Sequence, residues 1–158
     1  HPQLELIARA LTSHRGGEAW VMRRRSQAEM DQLVDAAGFD KLEQRIDGEL
    51  DESSEIDGRV VIEAGAKLVN SHVRGPAIIG AGTTLTNSYV GPFTSVAAGC
   101  AISDSEVENS VILERARISG VPRLVDSLIG RDTHVHRTEQ RPKATRLMIG
   151  DDCSIDLE

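Results

Sequence analysis

Three copies of one eight-residue phrase follow one another at a constant step of 17 residues: AGAKLVNS (residues 64–71), AGTTLTNS (residues 81–88) and AGCAISDS (residues 98–105). A constant period of this kind is typical of repeat architectures, in which each repeat is one structural unit stacked on the next. The period therefore predicts the fold before any single motif is interpreted.

Aliphatic residues extend the repeat in both directions. Their spacing of 6, 6 and 5 residues recurs three times from Ile56 to Val107 and continues less regularly to Val135. The positions are Ile56, Ile62, Leu68, Val73, Ile79, Leu85, Val90, Val96, Ile102, Val107, Ile112, Ile118, Leu124, Ile129 and Val135. This spacing fits neither a helix nor an ordinary strand, but it is typical of hexapeptide β-helix repeats.

The spacing predicts three short strands in each turn, each sending one aliphatic side chain into a narrow interior. Fifteen positions at three per turn give about five turns. We expect Gly65, Gly82 and Gly99 at corners with positive φ, which glycine adopts easily. Asn70, Asn87 and Asp104 tolerate the same conformation, and their side chains can bond their own backbone.

Residues 1–46 have a different pattern, which predicts a small N-terminal α/β cap with the order helix, strand, helix, strand. The helices are expected over residues 2–12 and after the capping box of Ser26 and Glu29, and the strands over residues 19–22 and 39–46. Residues 47–55 are acidic and are expected to be a linker, followed by the β-helix at residues 56–158.

The composition excludes several classes of function. The net charge of −7 argues against nucleic acid or an anionic membrane as a partner. No apolar run reaches the roughly 18 residues of a membrane span. Cys100 and Cys153 have no metal-ligand spacing and are expected to be reduced, in a cytoplasmic protein.

Four runs carry a resemblance to a known family: GRVVIEAGAKLVNS (58–71), GPAIIGAGTTLTNSYVGPFTSV (75–96), DSLIGRD (126–132) and KATRLMIGD (143–151). Through them residues 42–157 closely resemble the C-terminal domain of the long-form glucose-1-phosphate thymidylyltransferases, the dTDP-glucose pyrophosphorylases. The resemblance implies a left-handed parallel β-helix. It does not extend to the family's nucleotide-binding domain, so no catalytic residue can be carried over.

The N-terminal segment resembles a different family. The run SQAEMDQLVDAAGF (residues 26–39) is similar to the C-terminal helix–strand unit of class I S-adenosylmethionine methyltransferases. That family's Gly-rich cofactor loop has no counterpart in this sequence. The segment that resembles a methyltransferase and the segment that resembles a thymidylyltransferase meet near residues 43–48. This leads to the hypothesis that the chain is a chimera, natural or engineered.

Histidines provide the candidate catalytic residues. Some left-handed β-helix proteins are coenzyme A-dependent acyltransferases that work as trimers with a histidine as general base. His72, with Asn87 one turn later, is the best placed for that role. His134 and His136 flank Val135 and are expected to point outward, whereas His1 and His14 have no supporting context. The alternative for each is a solvated histidine.

The other candidates have simple structural interpretations. Residues 23–25 (RRR) could bind an anion, and the basic side chains of residues 136–147 could contact a partner, but both are expected to be solvated. The pair Gly16 and Gly17 is expected to be a turn. Cys100 is expected to be a buried structural thiol, because no base adjoins it.

These observations favour a structural, oligomerising or regulatory domain of a sugar-1-phosphate nucleotidyltransferase, without its catalytic domain. We expect a homo-oligomer, either trimer or dimer, and no catalytic, cofactor-binding or metal-binding residue in this chain. The alternatives are an acyltransferase acting on a sugar nucleotide and a methyltransferase-derived fragment presented on a β-helix.

Overall fold

A computed structural model describes residues 39–137, and their regular structure consists almost entirely of very short strands. A single 3-10 turn, Phe39–Lys41, precedes them. In chain order the strands are β1 (Arg45–Ile46), β2 (Glu49–Leu50), β3 (Glu55–Asp57), β4 (Val60–Ile62), β5 (Lys67–Val69), β6 (His72–Arg74), β7 (Ala77–Ile79), β8 (Thr84–Thr86), β9 (Tyr89–Val90), β10 (Thr94–Val96), β11 (Ala101–Ser103), β12 (Glu106–Glu108), β13 (Val111–Ile112), β14 (Arg117–Ser119), β15 (Leu124–Val125), β16 (Leu128–Ile129) and β17 (His134–His136).

Three parallel sheets form the walls of a column. Wall A has the order β1-β4-β7-β10-β13-β16, wall B has β2-β5-β8-β11-β14-β17, and wall C has β3-β6-β9-β12-β15. Each strand pairs with the strand three places later, so one turn of the chain lies on the previous turn; Leu68, for example, is opposite Leu85, and Leu85 is opposite Ile102. The prediction of a mainly β solenoid of about five turns is confirmed.

The interior is the aliphatic column that the spacing predicts. All the predicted positions belong to one cluster, and those between Ile62 and Ile118 are buried. Ile56, Leu124, Ile129 and Val135, which lie near the two ends of the column, are only partly buried. Small side chains such as Ala66 and Ala116 fill the remaining space beside the corners. Each fully buried aliphatic side chain contributes roughly 1.5–3 kcal/mol of transfer free energy.

Positive-φ residues form the predicted corners. One corner has Gly65, Gly82 and Gly99, with φ of 77°, 67° and 70°. Another has Asn70, Asn87 and Asp104, with φ of 45°, 46° and 49°. Both sets are confirmed as left-handed positions, where glycine, asparagine and aspartate are the residues with the lowest energetic penalty.

In the last two turns, an ion pair replaces the glycines of this corner. The equivalent positions there are Arg115 and Asp132, which also have positive φ, at 58° and 55°. The Arg115 guanidinium donates two hydrogen bonds to the Asp132 carboxylate, at 2.7 and 2.9 Å. These hydrogen bonds lower the pKa of Asp132 below its usual 3.8. The pair therefore joins the last two turns on the outside of the column.

The first turn differs from the prediction. Residues 39–46 do not form one strand, because only Arg45–Ile46 pairs, with β4 of wall A. Residues 47–55, expected to be a linker, contain β2, which pairs with β5. The exposed acids of this stretch obscured the inward side chain Leu50, which precedes the predicted inward residue Ile56 in the same turn. The described solenoid thus begins at β1 instead of at residue 56.

Wall A is mostly apolar on its outer side as well. Ile78 and Val111 occupy outward positions two coils apart, with Ser95 between them, and are buried at 4% and 0% exposure. Phe39 and Leu42 pack against Ile78 and Val61, and Phe39 makes an edge-to-face contact with Phe93, with ring centroids 6.2 Å apart. The apolar runs VVI (60–62) and AII (77–79) were the sequence signal for a wall covered on both sides.

The other predicted elements lie outside the described residues. They are the helices at residues 2–12 and after Ser26, the strand at 19–22, and the partial last turn at 148–155. Within residues 39–137 no helix has the length and apolar character needed to cross a lipid bilayer.

The interior predicts a sharp difference between two substitutions on adjacent walls. Ile79 is fully buried, so Ile79→Asp places an unpaired charge in the column and should destabilise it by about 4 kcal/mol or more. Thr84 is exposed on wall B, and Thr84→Ala should change the free energy of unfolding by less than about 0.5 kcal/mol. Urea unfolding followed by circular dichroism measures both, and equal losses would contradict the inward placement of Ile79.

The Arg115–Asp132 pair predicts an acid-dependent loss of stability. The pKa of Asp132 is lower in the folded chain than in the unfolded chain, so its contribution is fully present above about pH 4. It is lost as the pH falls through the folded pKa. Asp132→Asn and Arg115→Gln should each flatten the decline in melting temperature below pH 4. A slope like that of the unsubstituted chain in both variants would mean that the pair does not stabilise the column.

Candidate functional site

An open groove of about 550 Å³ follows the asparagine corner between walls B and C. One side is formed by the corner residues Asn70, Asn87 and Asp104, and the other by side chains of wall C, namely Glu55, His72, Tyr89 and Glu106. The four wall C residues come from β3, β6, β9 and β12 and so are stacked at about 4.8 Å per turn. The groove is therefore a direct product of the repeat.

The corner residues are joined by side-chain hydrogen bonds that run along the column. The Asn70 amide donates to Asn87 Oδ1 at 3.0 Å, and the Asn87 amide donates to Asp104 Oδ1 at 2.7 Å. At the first turn, the Asp51 carboxylate accepts the backbone N–H of Asn70. The amides thus bond neighbouring coils, whereas the sequence suggested bonds to their own backbone.

Buried serines form the floor of the groove. The hydroxyls of Ser71, Ser88 and Ser105 each donate to the backbone carbonyl two residues earlier. The Ser71 hydroxyl also accepts the backbone N–H of Ser88, and the Ser88 hydroxyl accepts that of Ser105. Because these hydroxyls are engaged within the column, the floor is a rigid support and not a source of nucleophiles.

His72 makes two contacts in the groove. Its Nε2 lies 2.8 Å from Asp57 Oδ2, and its ring meets the Tyr89 ring edge to face, with centroids 5.5 Å apart. Asp57 and Tyr89 were not singled out from the sequence. The repeat contained a signal for Tyr89, which lies 17 residues after His72, but not for Asp57, which lies 15 residues before it.

The electrostatic character of the groove is acidic. Glu55, Asp104 and Glu106 contribute carboxylates, and Arg123 lies 3.6 Å from Glu106 but 2.7 Å from Glu108 on the neighbouring column of wall C. Carboxylates at this density disfavour phosphate-bearing ligands next to His72.

The remaining described candidates lie away from the groove. His134 and His136 are exposed on wall B with ring centroids 4.6 Å apart. Cys100 is buried at 2% exposure, its thiol donates to the Leu113 carbonyl at 3.1 Å, and burial raises the pKa of the thiol. Cys100 therefore remains protonated inside the column, as a structural thiol.

Several candidates fall outside the described residues: His1, His14, Gly16, Gly17, the arginines at 23–25, Cys153, and the basic side chains Arg141, Lys143 and Arg146. Within residues 39–137 no group of three potential metal ligands comes together.

The stacked walls, the 17-residue coils and the aliphatic interior define the described part of the chain as a hexapeptide-repeat β-solenoid. Its sequence is related to a particular enzyme. The glucose-1-phosphate thymidylyltransferase of Streptomyces griseus is 51% identical over 109 residues, which cover 69% of this chain and 31% of that protein. The enzyme of the same name from Streptomyces antibioticus is 43% identical over 125 residues, covering 79% and 35%.

These identities show that the solenoid is homologous to the C-terminal region of glucose-1-phosphate thymidylyltransferases, as the sequence resemblance predicts. The chain spans about a third of the length of these relatives.

The N-terminal segment is similar to other proteins. A family described as putative methyltransferase matches residues 1–49. The uncharacterized protein YnbC of Escherichia coli (strain K12) is 70% identical over 47 residues, which are 30% of this chain and 8% of that protein. The N-terminal third and the rest of the chain thus resemble differently described proteins, which supports the hypothesis of a chimera with its junction near residues 43–48.

Two substitutions of Asn87 should separate the contribution of backbone strain to the free energy of unfolding from the contribution of the side-chain hydrogen bonds. Asn87→Ala removes both amide hydrogen bonds and leaves alanine at φ 46°, so it should destabilise the column by roughly 2–3 kcal/mol. Asn87→Gly removes the same bonds but suits the positive φ, and should be about 1 kcal/mol less destabilising than alanine. Urea unfolding measures both variants, and equal destabilisation would show that φ at this corner carries no strain.

Proposed function

We propose that the solenoid is the structural, oligomerising or regulatory domain of a sugar-1-phosphate nucleotidyltransferase of the glucose-1-phosphate thymidylyltransferase type. The observation that carries the proposal is the 51% identity with the Streptomyces griseus enzyme over 109 residues. On this proposal the domain assembles copies of the chain in the cytoplasm, as a dimer or trimer, and performs no chemistry of its own.

The construction of the column supports a scaffold. Its interior is filled mainly by aliphatic side chains such as Ile79 and Leu85, each at 0% exposure, and encloses no open cavity lined by reactive groups among the described residues; the described candidate histidines lie on the walls. The polar corner groups are already hydrogen-bonded between coils, as Asn70, Asn87 and Asp104 show. A rod stiffened in this way holds its outer walls in a constant geometry, which is what a domain that orients other domains requires.

A coenzyme A-dependent acyltransferase is the competing function, and one observation favours it. Asp57 holds His72 Nε2 at 2.8 Å, and a carboxylate that orients one ring nitrogen leaves the other nitrogen available as a general base. Two observations weigh against it. Asp57 is exposed, so water competes for the contact, and Glu55, Asp104 and Glu106 would repel the phosphates of coenzyme A.

The third possibility is that the column presents a methyltransferase-derived segment, favoured by the family match at residues 1–49. Deleting residues 1–38 separates it from the scaffold function. If the shortened chain retains the oligomeric mass of the full chain, assembly resides in the solenoid. A loss of assembly with the column still folded would favour a function of the N-terminal segment.

His72→Ala provides the decisive test between scaffold and acyltransferase. Light scattering after size-exclusion chromatography should give a dimer or trimer mass for the 158-residue chain, unchanged in His72→Ala. Thiol release from acetyl-coenzyme A with glucose-1-phosphate or glucosamine-1-phosphate as acceptor should remain at the background rate in both proteins.

His134→Ala is the matched control, because His134 is an exposed histidine on another wall. Thiol release that disappears in His72→Ala but persists in His134→Ala would establish the acyltransferase instead. A monomer at every concentration would contradict the oligomerising role.

A further inference from the structure

Wall B differs from the other two walls in its outward side chains. In β5 and β8 the middle residue is buried and both flanking residues are exposed. The flanking residues form two straight columns: Lys67, Thr84, Ala101 and Arg117 in one, and Val69, Thr86, Ser103 and Ser119 in the other. Most of these side chains are short, so the wall is flat, and Val69 on its second strand exposes 45% of its surface.

The other walls offer no comparable face within residues 39–137. Of the outward residues of wall A, Ile78, Ser95, Val111 and Leu128 are already buried. Wall C has the acidic groove on one side and the ion pair between Arg123 and Glu108 on the other. Among the described residues, wall B is therefore the face that is flat and carries exposed, mostly small side chains.

Opposite charges occupy the two ends of wall B. Glu49 of β2 precedes the Lys67 column, and its carboxylate lies 3.5 Å from the Lys67 ammonium. Arg117 lies in the same column three strands after Lys67, and no ion pair of Arg117 is found within the described range. The residues between them, Thr84 and Ala101, are uncharged. The wall thus carries a carboxylate, with the Lys67 ammonium beside it, at its first end and a guanidinium near its last.

We propose that two copies of the chain associate face to face through wall B with their columns antiparallel, about a twofold axis that runs along β8. Glu49 lies two strands before β8, and Arg117 lies two strands after it. This axis therefore places Glu49 opposite Arg117 of the partner subunit, twice in the dimer. Thr84 and Thr86 then face their own copies, as residues on the axis of an isologous interface do.

A parallel arrangement of the columns lacks this complementarity. Glu49 would then lie at the same height as Glu49 of the partner subunit, and Arg117 at the same height as the partner's Arg117. Like charges at matching heights oppose association, whereas the antiparallel arrangement brings opposite charges together. The charges on wall B thus favour the antiparallel over the parallel arrangement of two columns that associate through this wall.

This inference rests on the proposed assembly role and gives it a surface and a geometry. The five strands from β2 to β14 span only about 20 Å at roughly 4.8 Å per strand, so the interface is small. An interface of that size is expected to give concentration-dependent association.

The test is the dimer dissociation constant of the full chain, measured by sedimentation equilibrium. Glu49→Arg and Arg117→Glu each place like charges opposite one another at two points of the interface and should weaken association by at least about tenfold. The double variant Glu49→Arg, Arg117→Glu reverses both charges and should restore the constant to within a few-fold. Raising the salt concentration should weaken the unsubstituted dimer, because the pairs are exposed.

Arg74→Glu is the matched control: it reverses an exposed arginine on wall C and should leave the dissociation constant unchanged. Circular dichroism checks that each variant is folded, which is expected since Glu49, Arg74 and Arg117 are all exposed.

Two results would overturn this interface while leaving the assembly role intact: a dimer whose affinity is unchanged by both single reversals, or a trimer. A chain that stays monomeric at all concentrations would overturn both the interface and the assembly role.

Discussion

Stacking of coils in register every 17 residues or so is the constraint on which the whole structure depends. Because each strand hydrogen-bonds to the strand one turn away, a side chain at one position lies directly above its equivalent in the next coil. Leu68, Leu85 and Ile102 consequently form one continuous interior column. The same register aligns the positive-φ corners, links Asn70 to Asn87 and Asn87 to Asp104, and makes the outer walls flat.

The interior and the corners could be predicted from the sequence because repetition multiplies a weak signal. One aliphatic residue every five or six positions means little, but fifteen in phase specify a column. The start of the first turn escaped prediction because its acids obscured the inward residue Leu50, so that the predicted column began only at Ile56. The contacts of His72 with Asp57 and Tyr89 escaped it because they join different coils, and such neighbours become visible only once the register is known.

The location of polar groups connects the fold to its function. Within the described residues, His72 lies on the outside and is bordered by carboxylates, whereas the Cys100 thiol is buried in the core. A column of this kind is suited to holding surfaces at a constant distance and orientation. That property agrees with its homology to one region of a larger thymidylyltransferase and directs attention to the walls.

Deleting one complete coil tests the register most directly. Removing residues 82–98 joins Ala81 to Gly99 and preserves the phase of the repeat, whereas removing residues 82–89 breaks it. Thermal unfolding followed by circular dichroism should show a cooperative β-sheet transition for the 17-residue deletion and none for the eight-residue deletion. Loss of the transition in both variants, or its retention in both, would contradict a column built from interchangeable coils in register.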